Sequence, residues 1–148
     1  PNVLAAMIVQ EQGSKGTSSL ISGTVSGYKG YYNFFNVNAY ETSSRDKITN
    51  GLIYAKNHGW NSVYSSIKGG ADFYYRDYVS KKQNTYLKKF NVNNGLSTVA
   101  THQYMTNVQG AAGEGTLVRK AFGSDSSSAV TFEIPVYNSM PSSICPLP

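Results

Sequence analysis

The spacing of hydrophobic residues along the chain predicts a mainly helical fold. Residues 3–12 carry Val, Leu, Met and Ile on one helix face, and the glycine that follows suits a left-handed helix end. The same criterion predicts helices over residues 48–57, about 62–78 and about 111–122. Gly69 and Gly70 interrupt the third of these. Because glycine lowers helix propensity, the pair predicts that another backbone segment packs closely there.

The remaining stretches predict loops and a little extended structure. Residues 13–30 are rich in Gly, Ser and Thr and predict a mobile loop. Residues 31–37 have the aromatic and β-branched content that is typical of a strand. Alternating hydrophobic residues over 130–134 predict one more strand, after which the chain ends in Pro-rich coil.

Composition narrows the possible partners. Twelve tyrosines stand beside only 14% charged residues, and a tyrosine ring can stack on a sugar or a base and hydrogen-bond to it. The net charge of +5 favours an anionic partner. The 13 Lys and Arg residues are scattered singly or in pairs such as Lys88-Lys89, which argues against nucleic acid. Cys145 is the single cysteine, so no internal disulfide or cysteine-based zinc site is possible, and no cofactor or metal is expected.

One carboxylate interrupts the apolar face of the first predicted helix. Glu11 lies one turn beyond Met7 and Ile8, in the last turn before Gly13. Burial and the negative end of the helix dipole both disfavour its ionised form, so they are expected to raise its pKa, as a general acid requires. A solvated glutamate at a frayed helix end fits the same pattern, and helix geometry alone favours that interpretation.

Six groups of short motifs follow one another in order. They are IVQEQG at residues 8–13 with GTS at 16–18, YYNFFNVNAY at 31–40, NGLIYA at 50–55 with GW at 59–60, IKGGA at 67–71, QNTY at 83–86 and HQYMTN at 102–107. No single motif is highly specific, but their order and spacing over residues 3–122 resemble the endo-β-N-acetylglucosaminidase family of Gram-positive autolysins, glycoside hydrolase family 73.

The resemblance implies both a fold and an activity. The expected fold is mainly α (α+β), a lysozyme-like helical domain with a small mobile β-lobe over a long cleft. The expected reaction is hydrolysis of the β-1,4 bond between N-acetylglucosamine and N-acetylmuramic acid in peptidoglycan. By position, the resemblance places the general acid at Glu11 and a cleft-lining catalytic tyrosine at Tyr104. Gln103 is expected to bind substrate, and His102 to be structural.

The second catalytic group is less constrained. Many relatives carry an acidic residue just after a segment like residues 31–40, and Glu41 occupies that place, with Asp46 as the reserve candidate. Glu41 fits a solvated residue or a helix cap equally well. Inverting, retaining and substrate-assisted routes all stay open, with Glu11 as the acid in each. The aromatic residues expected to line sugar subsites are Tyr31, Tyr32, Phe34 and Phe35.

We expect residues 1–122 to form the catalytic domain and residues 123–148 to form a linker, a strand and a Pro-rich tail. Because Pro1 leads straight into a helical pattern, part of the domain is expected upstream. The expected partners are peptidoglycan glycan strands and anionic wall polymers, without nucleic acid or membrane, bound by a monomer that is secreted and associated with the cell wall. The alternatives are a muramidase or lytic transglycosylase on the same fold, or a noncatalytic wall-binding module.

Overall fold

The computed structural model of the chain describes residues 2–83, 87–91, 107, 109–123, 138–139 and 141–143. Their helices are α1 (Asn2–Gln12), α2 (Lys47–Asn57), α3 (Val63–Asp77), α4 (Leu87–Phe90) and α5 (Gly110–Phe122), with 3₁₀ turns at Ser19–Ile21 and Val79–Lys81. The four longer helices begin and end within about two residues of the predicted bounds. Nowhere in the described residues does a strand occur. The predicted strand at 130–134 lies outside them.

Side chains cap the start of α2 and of α3. Asp46 Oδ1 accepts hydrogen bonds from the backbone N–H groups of Ile48 at 2.8 Å and Thr49 at 2.9 Å. Ser62 forms a reciprocal capping box with Ser65 at the start of α3. A cap of this kind typically stabilises a helix by about 1 kcal/mol. Both helices therefore begin where short polar side chains satisfy backbone N–H groups that have no partner within the helix.

The Gly-rich segment 13–30 is anchored to the core at Leu20. It begins with Gly13, whose φ of +76° is the left-handed end predicted for α1. Leu20 is only 4% exposed, and its carbonyl accepts a hydrogen bond from the backbone N–H of Asn33 at 2.7 Å. The side chain and the carbonyl of Leu20 thus help to attach this segment to the residues that follow it.

Residues 31–37 contain turns, so the predicted strand is wrong. The buried side chain of Asn33 takes the place of a strand partner: its Nδ2 donates to the carbonyls of Val37 at 2.8 Å and Gly51 at 2.9 Å. Its Oδ1 accepts from the backbone N–H of Val37 at 3.0 Å. Asn36 adopts a left-handed φ of +51°, which an extended strand excludes. The segment folds back on itself because asparagine satisfies its backbone groups.

The described core lies where α1, α2 and α3 meet residues 35–37. Burying one large hydrophobic side chain typically stabilises a protein by about 1.5–3 kcal/mol. In addition, α1 packs against α5. The buried core side chains are Met7, Phe35, Val37, Ala55, Trp60, Tyr74 and Tyr78.

The glycine pair in α3 accommodates aromatic rings, not the backbone segment that was predicted. A Cβ atom on Gly69 would lie 2.1 Å from Nε1 of Trp60, and one on Gly70 would lie 2.1 Å from Cδ2 of Phe35. Real Cβ atoms do not approach other heavy atoms so closely. The two rings therefore sit against the helix at positions where only glycine leaves enough room.

We expect Gly70→Ala to destabilise the fold by about 1–3 kcal/mol, because the added methyl group must displace the Phe35 ring. This loss opposes the gain of about 1 kcal/mol that alanine brings to a helix interior. Urea denaturation of the full chain measures the free energy of unfolding.

Gly113→Ala in α5 is the matched control, because a Cβ there meets no atom of the described residues within 4 Å. This control should leave stability unchanged or raise it by up to about 1 kcal/mol. Equal effects at Gly70 and Gly113 would contradict the packing role.

Candidate active site

Glu11 lies at the end of α1 and its side chain is held in place. The residue is half-buried. Asn36 Nδ2 donates one hydrogen bond to Glu11 Oε2 and one to the Glu11 carbonyl oxygen, both at 2.9 Å. The alternative of a fully solvated glutamate at a frayed helix end does not fit this arrangement. The carboxyl group and the last turn of α1 are fixed by the same amide.

Gln12, the next residue, is buried and orients that amide. Its Nε2 lies 2.7 Å from Asn36 Oδ1, 2.9 Å from the carbonyl oxygen of Phe34 and 3.1 Å from that of Asn33, and its two hydrogens are shared among these three acceptors. Because Gln12 donates to Asn36 Oδ1, the amino group of Asn36 must face Glu11. We call the side chains of Gln12 and Asn36 the amide clamp.

The amide clamp was not predicted from the sequence. Both residues belong to motifs that carried the resemblance, IVQEQG and YYNFFNVNAY, but the chain separation of 24 residues hides their contact. One signal was available. Gln12 directly follows the candidate acid on a helix whose other residues are mostly apolar, and a buried amide requires partners.

A buried ion pair joins α4 to α5, the helix that packs against α1. Lys88 Nζ on α4 is 2.5 Å from Glu114 Oε1 on α5, and the two side chains are 0% and 1% exposed. The ammonium also lies 3.3 Å from the Tyr74 hydroxyl and 4.7 Å from the centre of its ring. Burial lowers the pKa of Lys88, and the negative charge of Glu114 opposes that shift. In the sequence Lys88 is one of a pair of scattered basic residues, and nothing there predicts that its ammonium is buried.

The same lysine interacts electrostatically with the candidate acid. Glu11 acts to raise the pKa of Lys88, so the two charges attract each other through the protein. By the same attraction, the Lys88 ammonium favours the ionised form of the Glu11 carboxyl. This effect opposes burial and the helix dipole, the two influences expected from the sequence. Glu114 was missed because nothing local in α5 marks it as buried.

The aromatic candidates for sugar binding divide into two groups. Tyr31, Tyr32 and Phe34 are half-buried, and the rings of Tyr32 and Phe34 are stacked with centroids 6.4 Å apart. Phe35 is only 5% exposed and packs against Gly70 in the core. Phe35 therefore serves as a packing residue of the core. Of the four candidates, Tyr31, Tyr32 and Phe34 have ring surface that a ligand could contact.

The two carboxylates considered as second catalytic groups occupy different settings. Glu41 is exposed, immediately before a turn in which the backbone N–H of Thr42 donates to the carbonyl of Arg45 at 2.9 Å. Asp46 is the cap of α2, and hydrogen bonds led by that from the Thr49 backbone lower its pKa. Its carboxylate is thus already used in the fold. Tyr104, Gln103 and His102 lie outside the described residues.

The described part of the chain contains neither a membrane-spanning helix nor a cluster of metal-binding side chains. No helix there combines the length and the apolar character that a membrane span needs. No three or more His, Cys, Asp or Glu side chains cluster there in a way that could hold a metal ion.

Known proteins similar to the chain were found by sequence and by structure. No family model matches it. The bifunctional autolysin of Staphylococcus epidermidis is 34% identical over 132 residues, which cover 82% of the chain and 9% of that protein. A catalytic mutant of S. aureus autolysin E in complex with the disaccharide NAG-NAM has a TM-score of 0.64 and 30% identity, over 82% of the chain. Autolysin E in complex with the muropeptide NAM-L-Ala-D-iGlu has a TM-score of 0.63 and 30% identity over the same share.

These likenesses confirm the predicted fold class, a mainly helical domain like that of autolysin E. The chain spans about half the length of the solved autolysin E chain, 51%, and 9% of the S. epidermidis protein.

We expect Lys88→Met to destabilise the protein by about 3–5 kcal/mol, because it leaves the Glu114 carboxylate buried without its cation. Combining it with Glu114→Leu should recover much of that loss, since no charge then remains buried. A double-mutant cycle by urea denaturation measures the coupling.

The exposed pair Lys68–Asp72 serves as the control. Its N–O distance is 2.6 Å, but its side chains are 59% and 66% exposed. Lys68→Met should change stability by less than about 1 kcal/mol. A loss at Lys88 no larger than that at Lys68 would contradict the buried pair.

Proposed function

The chain belongs to the glucosaminidase family of the Gram-positive autolysins, glycoside hydrolase family 73, and from this we propose that it hydrolyses peptidoglycan glycan strands. The bond cleaved is the β-1,4 bond between N-acetylglucosamine and N-acetylmuramic acid, and Glu11 is the general acid. The observation that carries the proposal is the held carboxyl of Glu11 at the end of α1, fixed by two hydrogen bonds from one amide. The likeness to a catalytic mutant of autolysin E in complex with the disaccharide NAG-NAM supports the substrate class.

In the proposed reaction, protonated Glu11 transfers its proton to the glycosidic oxygen as the bond to the anomeric carbon breaks. The departing sugar leaves as an alcohol and Glu11 becomes a carboxylate. Water finally adds to the anomeric carbon and loses a proton, which restores the acid. The interaction with Lys88 and the bond from Asn36 both favour the carboxylate that exists after proton transfer.

The remaining roles are proposals made on position. Tyr104 is proposed to line the cleft beside the scissile sugar, with Gln103 binding substrate next to it. Tyr31, Tyr32 and Phe34 are proposed to offer ring faces to sugars, which their half-buried state allows. Glu41 is the proposed second carboxylate. Its exposure leaves it open to solvent and substrate, whereas Asp46 is used as a helix cap.

The proposed setting is the bacterial cell wall. In this proposal, residues 1–122 form the catalytic domain and residues 123–148 form a linker, a strand and a Pro-rich tail. The net charge of +5 would hold a secreted, monomeric enzyme on a wall that carries anionic polymers.

Glu11→Gln tests the assignment of the acid. The amide cannot supply a proton, so lysis of purified peptidoglycan, followed by turbidity, should fall by about 100-fold to 10,000-fold. Binding to insoluble wall should survive. Asp72→Asn is the control, because it makes the same carboxyl-to-amide change at an exposed site on α3 and should lyse walls at the unaltered rate. Undiminished lysis by Glu11→Gln would remove Glu11 as the acid, whereas an unaltered chain that binds wall without lysing it would indicate a noncatalytic wall-binding role.

The new chain ends distinguish the enzyme classes. Digested glycan is reduced with borohydride and the reduced terminal sugar is identified by mass spectrometry. We expect reduced N-acetylglucosamine. A reduced muramic acid end would indicate a muramidase, and an anhydro-muramic end would indicate a lytic transglycosylase.

A further inference from the structure

We propose that Asn36 is a positioning residue for the Glu11 carboxyl group, one that sets its direction and stabilises it as a carboxylate after proton transfer. The inference rests on the proposed function, since it matters only if Glu11 is the acid. It gives a positioning role to one residue of segment 31–37, for which the sequence predicts a strand with sugar-binding rings.

The side-chain amino group of Asn36 donates both of its hydrogens to Glu11. Asn36 Nδ2 has two hydrogens, and its two acceptors are Glu11 Oε2 and the Glu11 carbonyl oxygen, each at 2.9 Å. A single planar amide therefore fixes the side chain of Glu11 relative to its own backbone.

The orientation of the amide is determined by Gln12. Gln12 Nε2 donates to Asn36 Oδ1 at 2.7 Å and is itself held by the carbonyls of Phe34 and Asn33. Rotating the Asn36 amide by half a turn would place Oδ1 against two oxygens of Glu11 and Nδ2 against the amino group of Gln12. Gln12 is only 6% exposed, so water cannot readily repair those losses.

The backbone at Asn36 restricts which residues can occupy the position. Its φ of +51° lies in the left-handed region, which glycine and asparagine adopt far more readily than other residues. Glycine would satisfy the backbone but could not reach Glu11. Asparagine satisfies both requirements. Replacing Asn36 with glycine therefore keeps the backbone conformation and removes the contact with Glu11, so an effect on catalysis can be told from an effect on folding.

The neighbouring Asn38 provides a matched control. It has the same residue type and a φ of +60°, but its side chain is exposed. Asn38→Gly makes the same chemical change at the same backbone conformation, without touching Glu11. Any effect of Asn36→Gly that Asn38→Gly lacks belongs to the amide clamp.

The experiment measures kcat, KM and the pH profile of kcat on soluble peptidoglycan glycan strands for the full chain, with thermal unfolding as the test of folding. For Asn36→Gly we expect kcat to fall about tenfold to 100-fold with KM within about threefold, since the acid is present but poorly directed. The alkaline limb of kcat should also move upward, by about one pH unit, because the ionised Glu11 loses a donor.

Asn36→Asp is the second variant. It keeps an acceptor for Gln12 and tolerates the left-handed backbone, but it replaces the donor to Glu11 with oxygen. The alkaline limb should move further than for Asn36→Gly, because two carboxylates then face each other. Lys88 on α4, which interacts electrostatically with Glu11, and Glu114 on α5, which pairs with Lys88, are the same in every variant.

The outcomes separate the two proposals. Reduced kcat and a raised alkaline limb in both Asn36 variants, with Asn38→Gly like the unaltered chain, support the positioning role. Unaltered kcat and pH profiles in folded Asn36 variants overturn it, while an inactive Glu11→Gln leaves the proposed function standing. If Asn36→Gly fails to fold, the pH profile of Asn36→Asp decides alone. An active Glu11→Gln overturns the proposed function and the positioning role together.

Discussion

The hydrogen bonds that Gln12 donates from the end of α1 into residues 33–36 are the constraint on which the rest of the described structure depends. They fasten a segment without regular secondary structure to the helix that carries Glu11. The same segment places Phe35 against Gly70 of α3 and Val37 in the core. Helix α1, the turns and α3 are thereby joined around one buried amide. The direction of the Glu11 carboxyl follows from this, because Asn36 can face Glu11 only while Gln12 holds its oxygen.

Opposing influences act on that carboxyl. Its half-buried position and the negative end of the α1 dipole disfavour its charge. The donor from Asn36 and the ammonium of Lys88 favour it. A general acid in a hydrolase must hold a proton before the bond breaks and be stable without it afterwards. The site combines both requirements: the helix end resists early ionisation, whereas the clamp and the buried lysine stabilise the state after transfer.

Structure that depends on residues close together in the sequence, such as the helices, could be predicted. Contacts between residues far apart in the sequence could not. The four longer helices followed from their apolar spacing, and the position of Glu11 followed from the same pattern. Asn36 is 25 residues from Glu11, and Lys88 is 26 residues from Glu114, so no local pattern marks either contact. Residues 31–37 have the composition of a strand, but the Asn33 side chain closes them into turns. The glycines of α3 were correctly predicted to be structural, but the groups that require them are aromatic rings.

The bond between Asn36 Nδ2 and the Glu11 carboxyl can be measured directly by NMR in a chain labelled with ¹³C at glutamate and ¹⁵N at asparagine. If the bond exists, the Asn36 side-chain amide signals must shift with pH at the midpoint at which the Glu11 carboxyl carbon titrates, while those of Asn38 stay constant. Asn36 amide signals that remain unchanged as Glu11 titrates would contradict the held carboxyl, and with it the physical basis for Glu11 as a positioned acid.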